Sequence, residues 1–405
     1  VAGDGAGDAR LKPAWYGWVV VLAAFTFMFV GFGAAYSFTA FFKAFQAEFG
    51  APRADVALAF SVAAFIWFSA GAPGGVLADR FGPRRVTAVG IACIAAALWL
   101  ASRAESVLML YATYSIGLGV GIGLVYVPSV GAVQPWFERN RAAASGMAVA
   151  GIGAGNFAVP LFAAWLIERY GWRGAYMALM WFVLALGAAA VLAIDAKARP
   201  KGGAPLAGVP LAEALSRAEF WWLYLSLFAS CVGVFIPMVH LGPFAQDLGY
   251  SEAQGVALVS LVGLGSLAGR FTVGPFADRL GRRASLALMY AGLGVMLLVW
   301  WASTAYWALA AFAILFGVFY GGAVALLPTL VMDLYGARAV SGIIGFLYTG
   351  AGLGTLLGPW LAGAAYDATG GYGVPILASA GLAFVAAACI PAMNRHEARK
   401  ERHRR

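Results

Sequence analysis

Long apolar runs alternate with short polar or charged breaks along nearly the whole of this 405-residue chain. A bilayer's hydrocarbon core is crossed by a helix of roughly 17–25 mostly apolar residues. Twelve runs meet that length, over residues 15–42, 55–78, 86–102, 106–133, 141–166, 173–194, 219–243, 254–277, 284–303, 305–332, 339–365 and 373–393. The breaks at Gly50-Ala51-Pro52-Arg53 and Asp79-Arg80-Phe81-Gly82 are sharp. The break near 304 has the least signal, because Trp300 to Phe312 is uncharged. The pattern predicts an all-α membrane protein with twelve transmembrane helices.

Composition strengthens this reading. The chain is 62% hydrophobic and only 11% charged, too little charge to cover the surface of a water-soluble domain of this length. Its 53 glycines suit helices that approach closely in lipid. The formal charge of +9 would fit a nucleic-acid partner, but its distribution argues against one. On the predicted spans, 21 of the 27 Lys and Arg residues fall on one side: the amino tail (Arg10, Lys12), the even-numbered breaks and the carboxyl tail from Arg395. Five fall on the other side (Lys43, Arg53, Arg103, Arg169, Arg173), and Arg270 lies within a span. Positive charge collects on the cytoplasmic side, so both termini are expected there, with the lipid bilayer as partner and the cell inner membrane as location. The basic tail, residues 395–405, reads as a solvated end attracted to anionic lipid. Cys93, Cys231 and Cys389 each sit in an apolar run with no metal-ligand or disulfide spacing. No cleavable signal is expected, since the first run is long and has no small-residue cleavage site.

The sequence also repeats itself. Residues 75–85 read Gly-Val-Leu-Ala-Asp-Arg-Phe-Gly-Pro-Arg-Arg, and 274–283 read Gly-Pro-Phe-Ala-Asp-Arg-Leu-Gly-Arg-Arg. Gly75, Asp79, Arg80 and Gly82 thus correspond to Gly274, Asp278, Arg279 and Gly281. Pro128 matches Pro328, Ser145-Gly146 matches Ser341-Gly342, and Pro160 matches Pro359, all 196 to 200 residues apart. Two pseudo-symmetric six-helix bundles are predicted, residues 1–194 and 219–394. A cytoplasmic linker, 195–218, joins them, with a short helix expected near Leu211–Ala218. Such duplication suits two bundles that rock about a central site.

The doubled Gly-x-x-x-Asp-Arg-x-Gly loop resembles the signature loop of the major facilitator superfamily. Its acids can accept hydrogen bonds from a helix end of the opposite bundle. Arg80, Arg84, Arg279 and Arg283 can pair with carboxylates or carbonyls across the gap. The loops would then latch the outward-open state; the alternative is a basic turn that only sets topology. Residues 136–155 narrow the resemblance. They run Trp-Phe-Glu-Arg-Asn and then Arg141-Ala-Ala-Ala-Ser-Gly-Met-Ala-Val-Ala-Gly151, with Gly155 beyond. This is similar to the segment entering the fifth helix of the monocarboxylate porters. Ala144, Ala148, Gly151 and Gly155 would keep one helical face flat. Trp15-Tyr16-Gly17-Trp18 and Gly171-Trp172-Arg173-Gly174 are partial matches to the same family, whose oxalate/formate antiporters are a related branch.

The resemblance implies that Arg270, in predicted helix 8, holds the substrate carboxylate. A guanidinium matches a carboxylate bidentately, although a side chain this long could instead snorkel to the surface. Two departures from the family stand out. Ser266 occupies the place of an acid used for proton coupling in animal members, and Ala351 occupies the place of a second cation in the oxalate/formate antiporters. One cation suits one carboxylate. Tyr126, Tyr36, Tyr320 and Tyr348 lie on helices that line the cavity in this superfamily, and are candidates for hydroxyl contacts or else packed aromatics. His240, the only His in a span, is a candidate for the coupled proton or a gate, or an interfacial His bonded to backbone. Asn156 and Gln134 are further polar positions.

The expected function is secondary transport of a small monocarboxylate such as lactate or pyruvate, by alternating access with a proton as co-substrate and the protein a monomer. Alternatives are an organic-anion exchanger, a carrier of a larger carboxylate, or a non-transporting membrane sensor. No enzyme and no cofactor is expected, since no His, Cys or carboxylate cluster and no phosphate-cradling loop is present.

Overall fold

The computed structural model describes residues 15–137, 141–194, 208–336 and 338–404, without side chains at 141–143, 341 and 394–404. The amino tail with Arg10 and Lys12, most of the linker, and the side chains of the basic tail and of Ser341 lie outside the described residues. Among the described residues eleven helical stretches are long and apolar enough to cross a membrane. One of them, Arg141–Ala193, is 53 residues long, about 80 Å if straight at 1.5 Å per residue. It is two helices meeting at Gly171, whose φ of 67° breaks the helical path. The spans therefore number twelve.

We label them α1 (Tyr16–Phe49), α2 (Arg53–Phe81), α3 (Pro83–Ala101), α4 (Val107–Trp136), α5 (141–170) and α6 (172–193). The second set is α7 (Ala218–Asp247), α8 (Glu252–Leu280), α9 (Arg282–Trp301), α10 (Tyr306–Tyr335), α11 (Val340–Thr369) and α12 (Gly373–Arg404). Several helices run a turn or so past the apolar runs, because a helix need not stop where lipid does. Leu211–Ser216 forms a short helix before α7. The start of α1 and the end of the last crossing lie on one face, since twelve crossings return the chain there.

The duplication is structural. The bounds of α2 and α8, and those of α4 and α10, are each offset by 199 residues. The same offset relates side-chain-free contacts that set helix spacing. A Cβ on Gly155 would meet the Phe29 carbonyl at 2.4 Å, and one on Gly354 the Phe228 carbonyl at 2.5 Å. Thus α5 packs on α1 as α11 packs on α7, through the small-residue face read from the sequence; Ala144 and Ala148 on that face are fully buried. Dispersion between close backbones, rather than exclusion of water, drives such contacts in lipid. The turns after α2 and α8 are equivalent too, with Gly82 at φ 85° and Gly281 at φ 87°.

The two bundles meet along α2–α11 and α5–α8. The first contact runs from Ala54 against Gly363, at the face opposite the termini, to Ala72 against Gly345. The second places Asn156 against Gly263 and Gly153 against Leu267. Nearer the termini, Asp79 and Asp278 are exposed. Arg84 donates to the Val191 and Leu192 carbonyls, and Arg282 pairs with Asp333, each within its own bundle. Among the described residues, ion pairs between the bundles lie on the opposite face instead. The molecule is closed there.

Replacing Gly155 by Val should drive α1 and α5 apart at backbone level and destabilise the first bundle by about 1–3 kcal/mol. Thermal unfolding of the purified protein in detergent should show a lowered midpoint, with Gly354→Val behaving alike.

Candidate functional site

A cavity of about 70 Å³ lies between the bundles, several times the space one buried water requires. Eight helices besides α8 contribute to its wall, among them α1, α4, α7, α10 and α11. Arg270 lines it. The guanidinium is therefore directed inward and does not snorkel. Its Nε and one Nη are buried with no hydrogen-bond partner, and no carboxylate lines the cavity. Unpaired charge at membrane depth costs several kcal/mol, so this is a site with one fixed positive charge and no internal counterion.

Tyr36, Tyr126, Tyr320 and Tyr348 line the same cavity. The hydroxyls of Tyr36 (α1) and Tyr320 (α10) are 3.3 Å apart, a contact between the two bundles. Phe32 packs edge-on against Tyr126, with ring centroids 5.6 Å apart. Phe68 does the same to Tyr348 at 5.6 Å. These rings hold the phenols in place while leaving the rest of the wall apolar, with Leu227, Val234, Phe235 and Leu293. Ala351 lines the cavity, so the position of a second cation is occupied by a methyl group. Ser266 does not reach it; this side chain is buried with no partner where α8 meets α10. Asn156 is buried at the α5–α8 crossing and donates toward the Met238 sulfur at 3.7 Å. Gln134 donates to Ser145 within the first bundle.

Among the cavity residues that the sequence did not assign to the site, three carry a hydroxyl or thiol: Ser230, Cys231 and Tyr290. Period and composition mark them only as members of apolar helices; nothing local says which side faces the gap.

His240 is fully buried but stands apart from the cavity, in a polar cluster that closes the face opposite the termini. The cluster centres on Arg53, the first residue of α2. Its Nη2 bonds Asp247 at 2.7 Å and its Nη1 bonds the Tyr372 hydroxyl at 2.6 Å. The guanidinium also stacks 3.7 Å from the centre of the Tyr366 ring. Lys43 reaches Asp247 at 3.0 Å. The first N–H groups of a helix have no intrahelical acceptor. Pro52 precedes α2 and offers no capping side chain. The acceptor comes from the other bundle: Asp367 takes the N–H groups of Arg53 and Ala54 at 3.0 and 2.9 Å. The other cations of this face are held by local groups. Arg103 and Arg169 lie over Trp99 and Trp165, and Arg173 pairs with Glu48.

Comparison with known proteins bears on this architecture. The family model of the Major Facilitator Superfamily matches residues 20–269 and 228–405. Monocarboxylate transporter 13 of Bos taurus is 31% identical over 362 residues, spanning 88% of this chain and 84% of that one. The chain belongs to the monocarboxylate transporter family of this superfamily. Monocarboxylate transporter 3 of Rattus norvegicus is 30% identical over 374 residues, covering 88% of this chain and 75% of the relative. Among solved structures, a bacterial homolog of the human lysosomal transporter Spinster, crystallised inward-facing and unoccupied, superposes with a TM-score of 0.76. It covers 95% of this chain and 98% of its own at 16% identity, which is a likeness of fold. This family member thus keeps the superfamily's two-bundle scaffold around a singly charged cavity.

Asp367→Ala removes two cap bonds from the closed face, each contributing on the order of 1 kcal/mol. The closed state should lose population. A membrane-impermeant thiol reagent applied from that face should label Cys231 faster than in the parent, in a background lacking Cys93 and Cys389.

Proposed function

We propose that the protein is a secondary transporter of small monocarboxylates, working by alternating access with proton symport in the cell inner membrane. The observation that carries this is a buried guanidinium with unpartnered nitrogens in a cavity without any acid. A fixed cation at that depth is neutralised most directly by an anion that arrives and leaves. The relatives named above as monocarboxylate transporters support a carboxylate as that anion. Its two oxygens fit the guanidinium fork. One fixed charge suits a monoanion, because a second charge on the ligand would be buried unpaired.

Tyr126 and Tyr36 belong to the first bundle, and Arg270, Tyr320 and Tyr348 to the second. A carboxylate held by Arg270 and by a phenol across the gap ties the bundles together. Bound and empty cavities then differ in energy between closed and open states, as alternating access requires. The orientation, with both termini in the cytoplasm, is supported by the 21 cations assigned to that side of the chain. There the Asp79 and Asp278 loops would bridge in the opposite conformation. The protein is taken to act as a monomer, since one chain supplies the whole cavity wall.

Proteoliposomes should accumulate radiolabelled lactate or pyruvate when given an inward proton gradient, and oxalate should compete weakly. Arg270→Ala should lower uptake by about tenfold or more, a charge-assisted hydrogen bond contributing about 1.5–3 kcal/mol. Arg270→Lys should recover only part of it, because an ammonium lacks the planar fork. Unchanged uptake in Arg270→Ala would remove the proposed anchor.

A further inference from the structure

The cavity holds no acid or histidine beside Arg270, so a co-transported proton needs a seat elsewhere. The His240 cluster supplies one, and its hydrogen bonds have only one consistent set of directions. Pro359 offers a carbonyl, which can only accept, so His240 Nε2 at 2.8 Å carries a hydrogen. Arg53 can only donate, so the Tyr372 oxygen accepts from it at 2.6 Å. The phenolic hydrogen is left to point at His240 Nδ1, 3.0 Å away, which accepts with its lone pair. The chain Arg53 → Tyr372 → His240 → Pro359 is therefore complete only when the imidazole is neutral. It also crosses the bundle boundary, because Arg53 belongs to α2 and the other three to α7, α11 and the turn before α12.

We propose that His240 is the proton-binding site that releases the closed face. This deepens the symport reading given above and rests on it for its place in the transport cycle. A proton arriving at Nδ1 turns that nitrogen from acceptor to donor. The Tyr372 oxygen would then face two cationic donors, and its own hydrogen would lose its acceptor. Imidazolium and guanidinium would stand on either side of one phenol, with the like charges opposed. The repulsion acts across the bundle boundary, and Arg53 leaves Tyr372, keeping only its pair with Asp247 and its stacking on Tyr366. No bond other than that of the proton to Nδ1 forms, and loss of the proton restores the chain.

The groups around the imidazole favour such a switch. Arg53 of α2 and Lys43 of α1 are positive; Asp247 of α7 and Asp367 of α11 are negative and already engaged with Arg53 or its backbone. Tyr366 of α11 covers the guanidinium, and Phe42 of α1 meets the imidazole edge-on at 5.5 Å. From α8, which packs on α7 through Gly255 against Gly242, the acid Glu252 lies near Glu168. None of the acids bonds His240 directly among the described residues, so none would hold the imidazolium in the closed state.

The test needs no substrate. Spin labels at Glu105→Cys and Thr304→Cys, exposed positions on the closed face of the two bundles, report their separation in proteoliposomes of protein lacking the native cysteines. Lowering the pH from about 8 to about 4, far enough for a buried imidazole to take up a proton, should move the distance distribution toward longer values. His240→Gln keeps an N–H for Pro359 and an acceptor for Tyr372 but takes up no proton; it should stay at the short distance throughout. Tyr372→Phe removes the link between His240 and Arg53 and should likewise lose the pH response. A pH response retained in either variant, or absent from the parent, overturns the proposal. Equilibrium binding of labelled lactate to the purified protein, which needs no opening of the closed face, reads the carboxylate site separately. Its survival in His240→Gln with loss of gradient-driven uptake supports the assignment. Its absence from the parent would instead overturn the carboxylate reading and leave the distance result standing.

Discussion

A single uncompensated guanidinium within a low-dielectric slab constrains the rest of this molecule. Burying a charge without a partner costs several kcal/mol, and a fold carrying one must surround it with wall that neither collapses onto it nor lets lipid in. Here nine helices share that work. Tyrosines present hydroxyls toward the gap while their rings pack against Phe32 and Phe68. The phenols supply dipoles without a counterion. A carboxylate in the wall would have quenched Arg270 and left no reason for an external anion to bind.

Two kinds of contact divide the labour elsewhere. Within each bundle, helices touch backbone to backbone at Gly155 and Gly354, and such contacts gain nothing by breaking in lipid. Between the bundles on the closed face, the close approach of Ala54 to Gly363 is joined by ion pairs, a cross-bundle helix cap and a phenol bridge. Polar bonds at the membrane surface can be exchanged for water at small net cost. Rigid bundles and exchangeable ties are what rocking motion demands.

Most of the fold was legible in the sequence because lipid imposes it. Apolar run length gave the spans, and the repeated Asp-Arg loop the two bundles. Arg270 and four tyrosines could be picked out because charge and aromatic hydroxyls are conspicuous in apolar helices and the family resemblance assigned the helices to the cavity. Tyr290 and Cys231 were not, since the rotation of α9 and α7 leaves no mark in an evenly apolar segment. The Arg53 cluster was hidden for a different reason. Arg53 and Asp247 are 194 residues apart in sequence, and Arg53 and Tyr372 are 319 apart. Each looks like an ordinary charge or aromatic at a helix end until the bundles are docked.

The duplication also explains why the closed face depends on one corner. Carried across by the 199-residue offset that relates α2 to α8, Arg270 answers to Gly71, so the scaffold is symmetric and the charge in it is not. The same holds at the surface. Arg53 answers to Glu252, Asp367 to Glu168 and His240 to Phe41. At the α2–α11 crossing a cation and a helix end meet acids. At the α5–α8 crossing the equivalent partners, Glu252 and Glu168, are both acids near one another. Like charges add no closure, so the polar ties holding this face shut are concentrated where Arg53 sits. A device that loosens Arg53 therefore acts on one of the two ion pairs that join the bundles on this face among the described residues. A proton bound at His240 bears on that corner through the Tyr372 hydroxyl that the imidazole shares with Arg53, and so on the tie between six helices and six.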